Sequence, residues 1–206
     1  MKHNIDYKLY LVTDRNILKN TDICTAVEDA IKGGVTVVQI REKDIKTLDF
    51  YNVAKKIKGV TDKYNIPLII NDRIDIALAI NTDGVHLGQD DMPCSIARRI
   101  LGKDKIIGIS ASTLEEALKA EKDGADYIGV GAIFSTNTKK DADDVSIETL
   151  KEIKRKVSIP VVAIGGINRE NVTLLKETNI DGVAVISDIL GREDIYTSAK
   201  CLFDKL

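Results

Sequence analysis

Eight short apolar runs punctuate this chain, and each stops abruptly at a polar or glycine-rich cluster. The runs cover residues 8–12, 35–40, 68–70, 84–87, 106–109, 127–130, 161–164 and 182–186, and helical patterns fill the intervals. Strands that alternate with helices pair in parallel, so eight repeats predict an α/β fold, a closed (β/α)8 barrel. Most runs are apolar throughout, as in Val161-Val-Ala-Ile164, which fits strands buried on both faces. In such barrels the segments just past the carboxyl ends of the strands form the active site. Here those segments are Thr13-Asp14-Arg15, Arg41-Glu42-Lys43, Asn71-Asp72-Arg73, Gln89-Asp90-Asp91, Ser110, residues 136–141, Gly165-Gly166 and Ser187.

Periodicity places one helix at 22–33, with Ala26, Val27, Ala30 and Ile31 on one face and Gly33-Gly34 as its stop. A second spans 47–64, where Phe50, Val53, Ala54, Ile57 and Val60 recur at helical spacing. Thr113-Leu-Glu-Glu116 predicts a capping box for a helix that runs to Gly124. Helices at 146–157, 168–178 and 193–206 complete the set, and Pro67 and Pro160 open the third and seventh strands. Residues 134–145 break the rhythm: they are polar, rich in Thr, Lys and Asp, and too many for a tight turn. A long loop after a barrel strand points to function.

A chain of 206 residues fits one barrel domain, residues 1–206, but is short against the roughly 250 that is typical. With 30% charged residues and a net charge of −2, nothing draws the protein toward nucleic acid or an anionic membrane. The three cysteines, Cys24, Cys94 and Cys201, form no C-x-x-C pair, so reduced thiols are expected instead of a zinc site or a disulfide framework. No apolar signal region opens the chain and no run approaches the roughly 20 apolar residues of a membrane span, so a cytoplasmic location is expected. A homo-oligomer is left open.

Strand alternation aims Gln39 and Arg41 into the barrel mouth, with Lys43 just beyond. Two cations and an amide there suit a multiply charged oxyanion; a solvated rim with Glu42 in an ion pair is the competing reading. Asn71-Asp72 ends strand three and Asp90-Asp91 follows strand four. Adjacent strands lie about 5 Å apart, so carboxylates at both ends can share a divalent cation. An oxygen-only donor set fits Mg2+ completed by substrate phosphates; the alternative is that Asp72 and Asp90 cap the following helices. His86 reads as a structural strand residue. Gly165-Gly166 and Ile186-Ser187 follow strands seven and eight, where barrels commonly seat a phosphate. Thr136, Asn137, Thr138 and Lys139 add donors and a cation between the two anion sites. Two such sites in one mouth point to a reaction that joins two phosphorylated small molecules.

Taken in order, Gln39-Ile-Arg-Glu-Lys43, Asn71-Asp72, Gly84-Val-His-Leu-Gly-Gln-Asp-Asp91, Gly108-Ile-Ser110, Thr136-x-Thr-Lys139-x-Asp141, Ala163-Ile-Gly-Gly-Ile167 and Ile186-Ser187 closely resemble the thiamine phosphate synthase family over almost the whole chain. That family joins 4-amino-5-hydroxymethyl-2-methylpyrimidine diphosphate to hydroxyethylthiazole phosphate and releases diphosphate with Mg2+. The resemblance implies that the segment from Gln39 through Ile40, Arg41 and Glu42 to Lys43 holds the pyrimidine diphosphate with Asn71 and Ser110. It implies Mg2+ on Asp72 and Asp91, and the leaving diphosphate against Lys139. Thr136, Asn137, Thr138, Gly166, Ile186 and Ser187 would hold the thiazole phosphate. Arg41, Lys43, Ser110 and Lys139 would carry the chemistry. The family often has His where this chain has Ser112. Two rivals are a related thiazole tautomerase, which uses a His base, and a non-catalytic barrel that binds a phosphorylated ligand.

Overall fold

The apolar runs form eight parallel strands that close into a barrel in chain order, seen in a computed structural model that describes residues 5–18, 21–135 and 144–206. They are β1 (Leu9–Val12), β2 (Val37–Ile40), β3 (Leu68–Asn71), β4 (Gly84–Leu87), β5 (Ile106–Ala111), β6 (Tyr127–Val130), β7 (Val161–Ile164) and β8 (Gly182–Val185). The ring shuts where Leu9 of β1 meets Val183 of β8. The expected (β/α)8 architecture is the one observed.

Among the described residues, eight α-helices pack around the strands: α1 (Ile23–Lys32), α2 (Thr47–Tyr64), α3 (Ile74–Ala79), α4 (Cys94–Leu101), α5 (Leu114–Lys122), α6 (Ile147–Lys156), α7 (Ser187–Leu190) and α8 (Ile195–Phe203). The Thr113–Glu116 capping box is present at α5, and Ser146 caps α6. The helix expected at 168–178 is instead a 3-10 segment, Val172–Thr178. Neither aspartate caps a helix: Arg73 and Pro93 occupy the cap positions of α3 and α4, without side-chain capping bonds. Asp72 instead sits in left-handed backbone at φ 63°.

Burial separates two cores. Leu9, Leu11, Ile40, Leu68, Ile70, Val85 and Leu87 point outward into the layer shared with the helices. Tyr10, Val12, Val37, Ile69, Tyr127, Val162 and Ala184 fill the barrel interior. This alternation decides which residues reach the mouth.

At the opposite, amino-terminal end, one device recurs. The residue just before each even strand grips the start of the preceding odd strand. Thr36 Oγ1 accepts from Leu9 N at 3.2 Å, Asp83 Oδ2 from Leu68 N at 2.8 Å, Asp126 Oδ2 from Ile107 N at 2.9 Å and Asp181 Oδ2 from Val161 N at 2.7 Å. The backbone N–H of each gripping residue donates to the carbonyl of the same partner. The gripped residues, Leu9, Leu68, Ile107 and Val161, are fully buried, and their amides are thereby satisfied.

Candidate active site

The end of β2 divides by alternation. Gln39, Arg41 and Lys43 line the cavity at the mouth. Ile40 is fully buried among residues of the helix layer, so its side chain faces away. Glu42 is paired with Arg15: Nη2 donates to Oε2 at 2.9 Å and Nε lies 2.8 Å from Oε1. The ion pair of the competing rim reading is thus present at Glu42, while Gln39, Arg41 and Lys43 face the cavity. Arg41 is fixed through its backbone, whose N–H donates to Thr13 Oγ1 at 3.1 Å.

Asn71, Asp72 and Asp91 line the same cavity. Burial, and a hydrogen bond and repulsion from Asp91, push the Asp72 carboxyl up to about 6. Lys43 Nζ stands 3.6 Å from Asp72 Oδ2. Asp91 Oδ2 accepts from Gly88 N at 2.7 Å, which orients that carboxylate. A carboxyl whose proton affinity is raised by a neighbouring carboxylate fits a shared divalent cation, whose charge would relieve the repulsion. Among the described residues no three or more His, Cys, Asp or Glu side chains gather into a complete cage. A cation here would therefore take its remaining oxygens from substrate or water. Asp90 is exposed and lies outside the cavity lining.

Gly165, Gly166, Ile186 and Ser187 form the far wall of the cavity. Gly166 adopts φ +62°, and a Cβ there would meet the carbonyl oxygens of Phe134 and Ser135 at 2.6 Å. A residue without a side chain is what this turn requires. Behind it, the buried Asp188 ties both halves of the wall together. Its Oδ2 accepts from Arg169 N at 2.9 Å and Arg169 Nε at 3.1 Å, and its Oδ1 from Arg192 Nε at 2.9 Å. Burial alone would raise the Asp188 carboxyl, but the bonds from Arg192 and Arg169 outweigh it and hold the group below its ordinary value.

The floor of the cavity is a chain of polar side chains that crosses the barrel. Gln39 Nε2 donates to Tyr10 Oη at 2.9 Å, Tyr10 Oη lies 2.8 Å from Tyr127 Oη, Tyr127 Oη lies 2.9 Å from His86 Nδ1, and His86 Nε2 lies 2.9 Å from Ser110 Oγ. Gln89 Nε2 holds the Ser110 carbonyl at 2.6 Å. Ser112 is engaged elsewhere, donating through N and Oγ to Glu116 Oε2.

Tyr10, Tyr127, Arg169 and Asp188 escaped the sequence reading. The available signal was two tyrosines at inward positions of otherwise small or aliphatic strands, in a chain with only 4% aromatic residues. Thr136, Asn137, Thr138 and Lys139 lie outside the described residues.

A (β/α)8 barrel whose strand ends gather two cations, two carboxylates and a glycine turn into one cavity belongs with the enzymes that act on phosphorylated small molecules. Residues 9–189 match the family model for thiamine monophosphate synthase. The chain is 66% identical over 192 residues to a thiamine-phosphate synthase of Clostridium tetani, covering 93% of this chain and 92% of that one. It is 62% identical to the thiamine-phosphate synthase of Clostridium acetobutylicum, over 98% of this chain and 95% of that one. A solved structure of thiamine phosphate pyrophosphorylase from Pyrococcus furiosus superposes with a TM-score of 0.90 at 42% identity, covering 97% of this chain and 95% of that one. The chain belongs to the thiamine monophosphate synthase family.

Proposed function

We propose that this enzyme is a transferase that joins 4-amino-5-hydroxymethyl-2-methylpyrimidine diphosphate to hydroxyethylthiazole phosphate, giving thiamine phosphate and diphosphate. The observation that carries the reading is family membership along almost the whole chain, supported by one cavity whose walls bear both kinds of anion-binding feature. The pyrimidine methylene C–O bond breaks, the electron pair leaves on diphosphate, and the thiazole nitrogen lone pair forms the new C–N bond. No proton has to move, which suits a mouth whose described lining holds a single imidazole, that of His86.

In this assignment Arg41 and Lys43 grip the diphosphate, and Asn71 and Ser110 orient the pyrimidine. Asp72 and Asp91 would hold Mg2+, which supplies charge to stabilise the departing diphosphate. The Gly165-Gly166 turn and Ile186-Ser187 would receive the thiazole phosphate, with Thr136, Asn137 and Thr138 contributing from the loop. Lys139 would neutralise the leaving group. Lys43 serves both sides of this arrangement, since its ammonium already lies against Asp72.

Incubation with both phosphorylated precursors and Mg2+, followed by product mass and diphosphate release, tests the reaction. Thiamine phosphate formed with one equivalent of diphosphate is the expected result. Binding of both precursors with no diphosphate released would overturn it.

A further inference from the structure

The hydrogen-bond chain across the cavity floor has a direction. We infer that Gln39, Tyr10, Tyr127, His86 and Ser110 form a one-way relay that holds His86 as the neutral Nε2–H tautomer and presents the Ser110 hydroxyl to the mouth as a donor. Tyr10, Tyr127 and His86 are then positioning residues.

The order follows from counting protons along the chain. The amide nitrogen of Gln39 can only donate, so Tyr10 Oη accepts from it at 2.9 Å. The Tyr10 proton is then directed to Tyr127 Oη, 2.8 Å away. Tyr127, having accepted, directs its own proton to His86 Nδ1 at 2.9 Å. A neutral imidazole that accepts at Nδ1 carries its proton on Nε2 and donates there, to Ser110 Oγ at 2.9 Å. Ser110 Oγ therefore accepts from the protein and keeps its own proton for whatever occupies the cavity. With Gln39 fixed as the donor at one end, a reversed link would leave one buried phenol proton without an acceptor in the chain, because each hydroxyl brings a single proton.

The barrel is shaped around this chain. Tyr10 and Tyr127 are each 1% exposed, where an unpaired hydroxyl would be costly. Burial raises both phenols above their ordinary range, so both protons stay in place. Glycines make the space: a Cβ at Gly108 would stand 2.1 Å from Tyr127 Cζ, and one at Gly129 would stand 3.0 Å from His86 Cε1. The relay runs from β2 through β1, β6 and β4 to β5, so it ties the Gln39 side of the mouth to the Ser110 side.

The functional consequence rests on the proposed synthase reaction. Ser110 would donate to a ring atom that accepts a hydrogen bond, and a ligand carrying a proton at that atom would leave the Ser110 proton without that acceptor. The relay thus favours one protonation pattern in the heteroaromatic substrate.

The first test uses the unliganded enzyme with 15N-labelled histidine. The chain has only two histidines, so a His86→Gln variant assigns the signals. Ring nitrogen shifts showing an unprotonated Nδ1 and a protonated Nε2 are expected. An Nδ1–H tautomer, or an imidazolium, would overturn the inference. The second test is Tyr127→Phe, which removes one hydroxyl and keeps the ring. Loss of a single hydrogen bond should lower kcat/KM for the pyrimidine diphosphate by about tenfold, leave KM for the thiazole phosphate in place, and change the His86 nitrogen shifts. Unchanged shifts and unchanged kinetics would also overturn it. The tautomer is read without turnover, so an enzyme that lacked synthase activity would leave that result standing and sink the reaction assignment alone.

Discussion

Gly108 on β5 lies opposite Tyr127 on β6 in the strand register, with no room between them for a methyl group. The phenol leans over position 108, which lets its hydroxyl reach both Tyr10 and His86. Gly108→Ala should therefore push the ring aside. Overpacking of this kind costs about 1–3 kcal/mol, which a shifted denaturant midpoint at unchanged slope would register. The pyrimidine diphosphate reaction should suffer more than thiazole phosphate binding. A variant as stable and active as the parent would show that the ring has slack that the contact distance denies.

Asp188 offers a stability prediction with a definite sign. Its folded carboxyl lies below the ordinary value, so its contribution is fully present above the unfolded value of about 3.9 and is lost as pH falls through the folded one. Asp188→Ala removes the acceptor shared by Arg169 and Arg192, both partly exposed, and should cost about 1–3 kcal/mol. Asp188→Asn should flatten the acid side of a plot of Tm against pH. A parallel, uniformly lowered curve would show that the carboxylate charge is not what matters. Both variants should also weaken thiazole phosphate binding, because Arg169 lies three residues past Gly166 and anchors the segment that follows the turn.

Asp72 and Asp91 make a prediction about the metal. Chelation should stop turnover reversibly. Asp72→Asn or Asp91→Asn should lower the rate by orders of magnitude, about 100-fold or more for loss of a charge-stabilising group, while circular dichroism stays that of the parent. Full activity of either variant at low Mg2+ would remove the pair from the reaction.

Lys139 is assigned from sequence alone. A diphosphate gains charge as its C–O bond breaks, so a nearby ammonium acts more on the transition state than on the bound substrate. Lys139→Ala should lower kcat by about 100- to 1000-fold with a smaller change in KM, whereas Lys140→Ala should do little. Near-normal kcat in Lys139→Ala, or greater sensitivity at Lys140, would reassign the loop.

What was legible in the sequence tracks how far each signal extends along the chain. Eight apolar runs, each ending in polar residues, are a repeated pattern, and the barrel follows from their number. α3 and α4, with six and eight residues, hold too few turns to leave a clear period. Residues 168–178 have helical spacing, yet the Asn168 and Asn171 side chains bond local backbone and shape an irregular start, with Asn168 Oδ1 accepting from Glu170 N at 2.8 Å. In the site, period-2 alternation separated Gln39, Arg41 and Lys43 from Ile40 and Glu42 once the strand was known. Tyr10 and Tyr127 look like ordinary strand aromatics; only the closed ring, which brings residues 117 positions apart into contact, makes them partners. Asp188 gave no warning because its role depends on two arginines from different segments.

The grips made by Thr36, Asp83, Asp126 and Asp181 fall on alternate strand pairs, β1–β2, β3–β4, β5–β6 and β7–β8. The ring is therefore assembled in quarters, each clasped by its own residue at the end away from the cavity. Connections within a quarter span a clasp, whereas those leading from β2 to β3, β4 to β5 and β6 to β7 join one quarter to the next. A chain reopened at one of these joints, with its old ends linked, would keep every clasp between residues of one continuous piece. The molecule is thus divisible by twos, and the rim that meets substrate can diverge in any quarter without loosening the clasp beneath it.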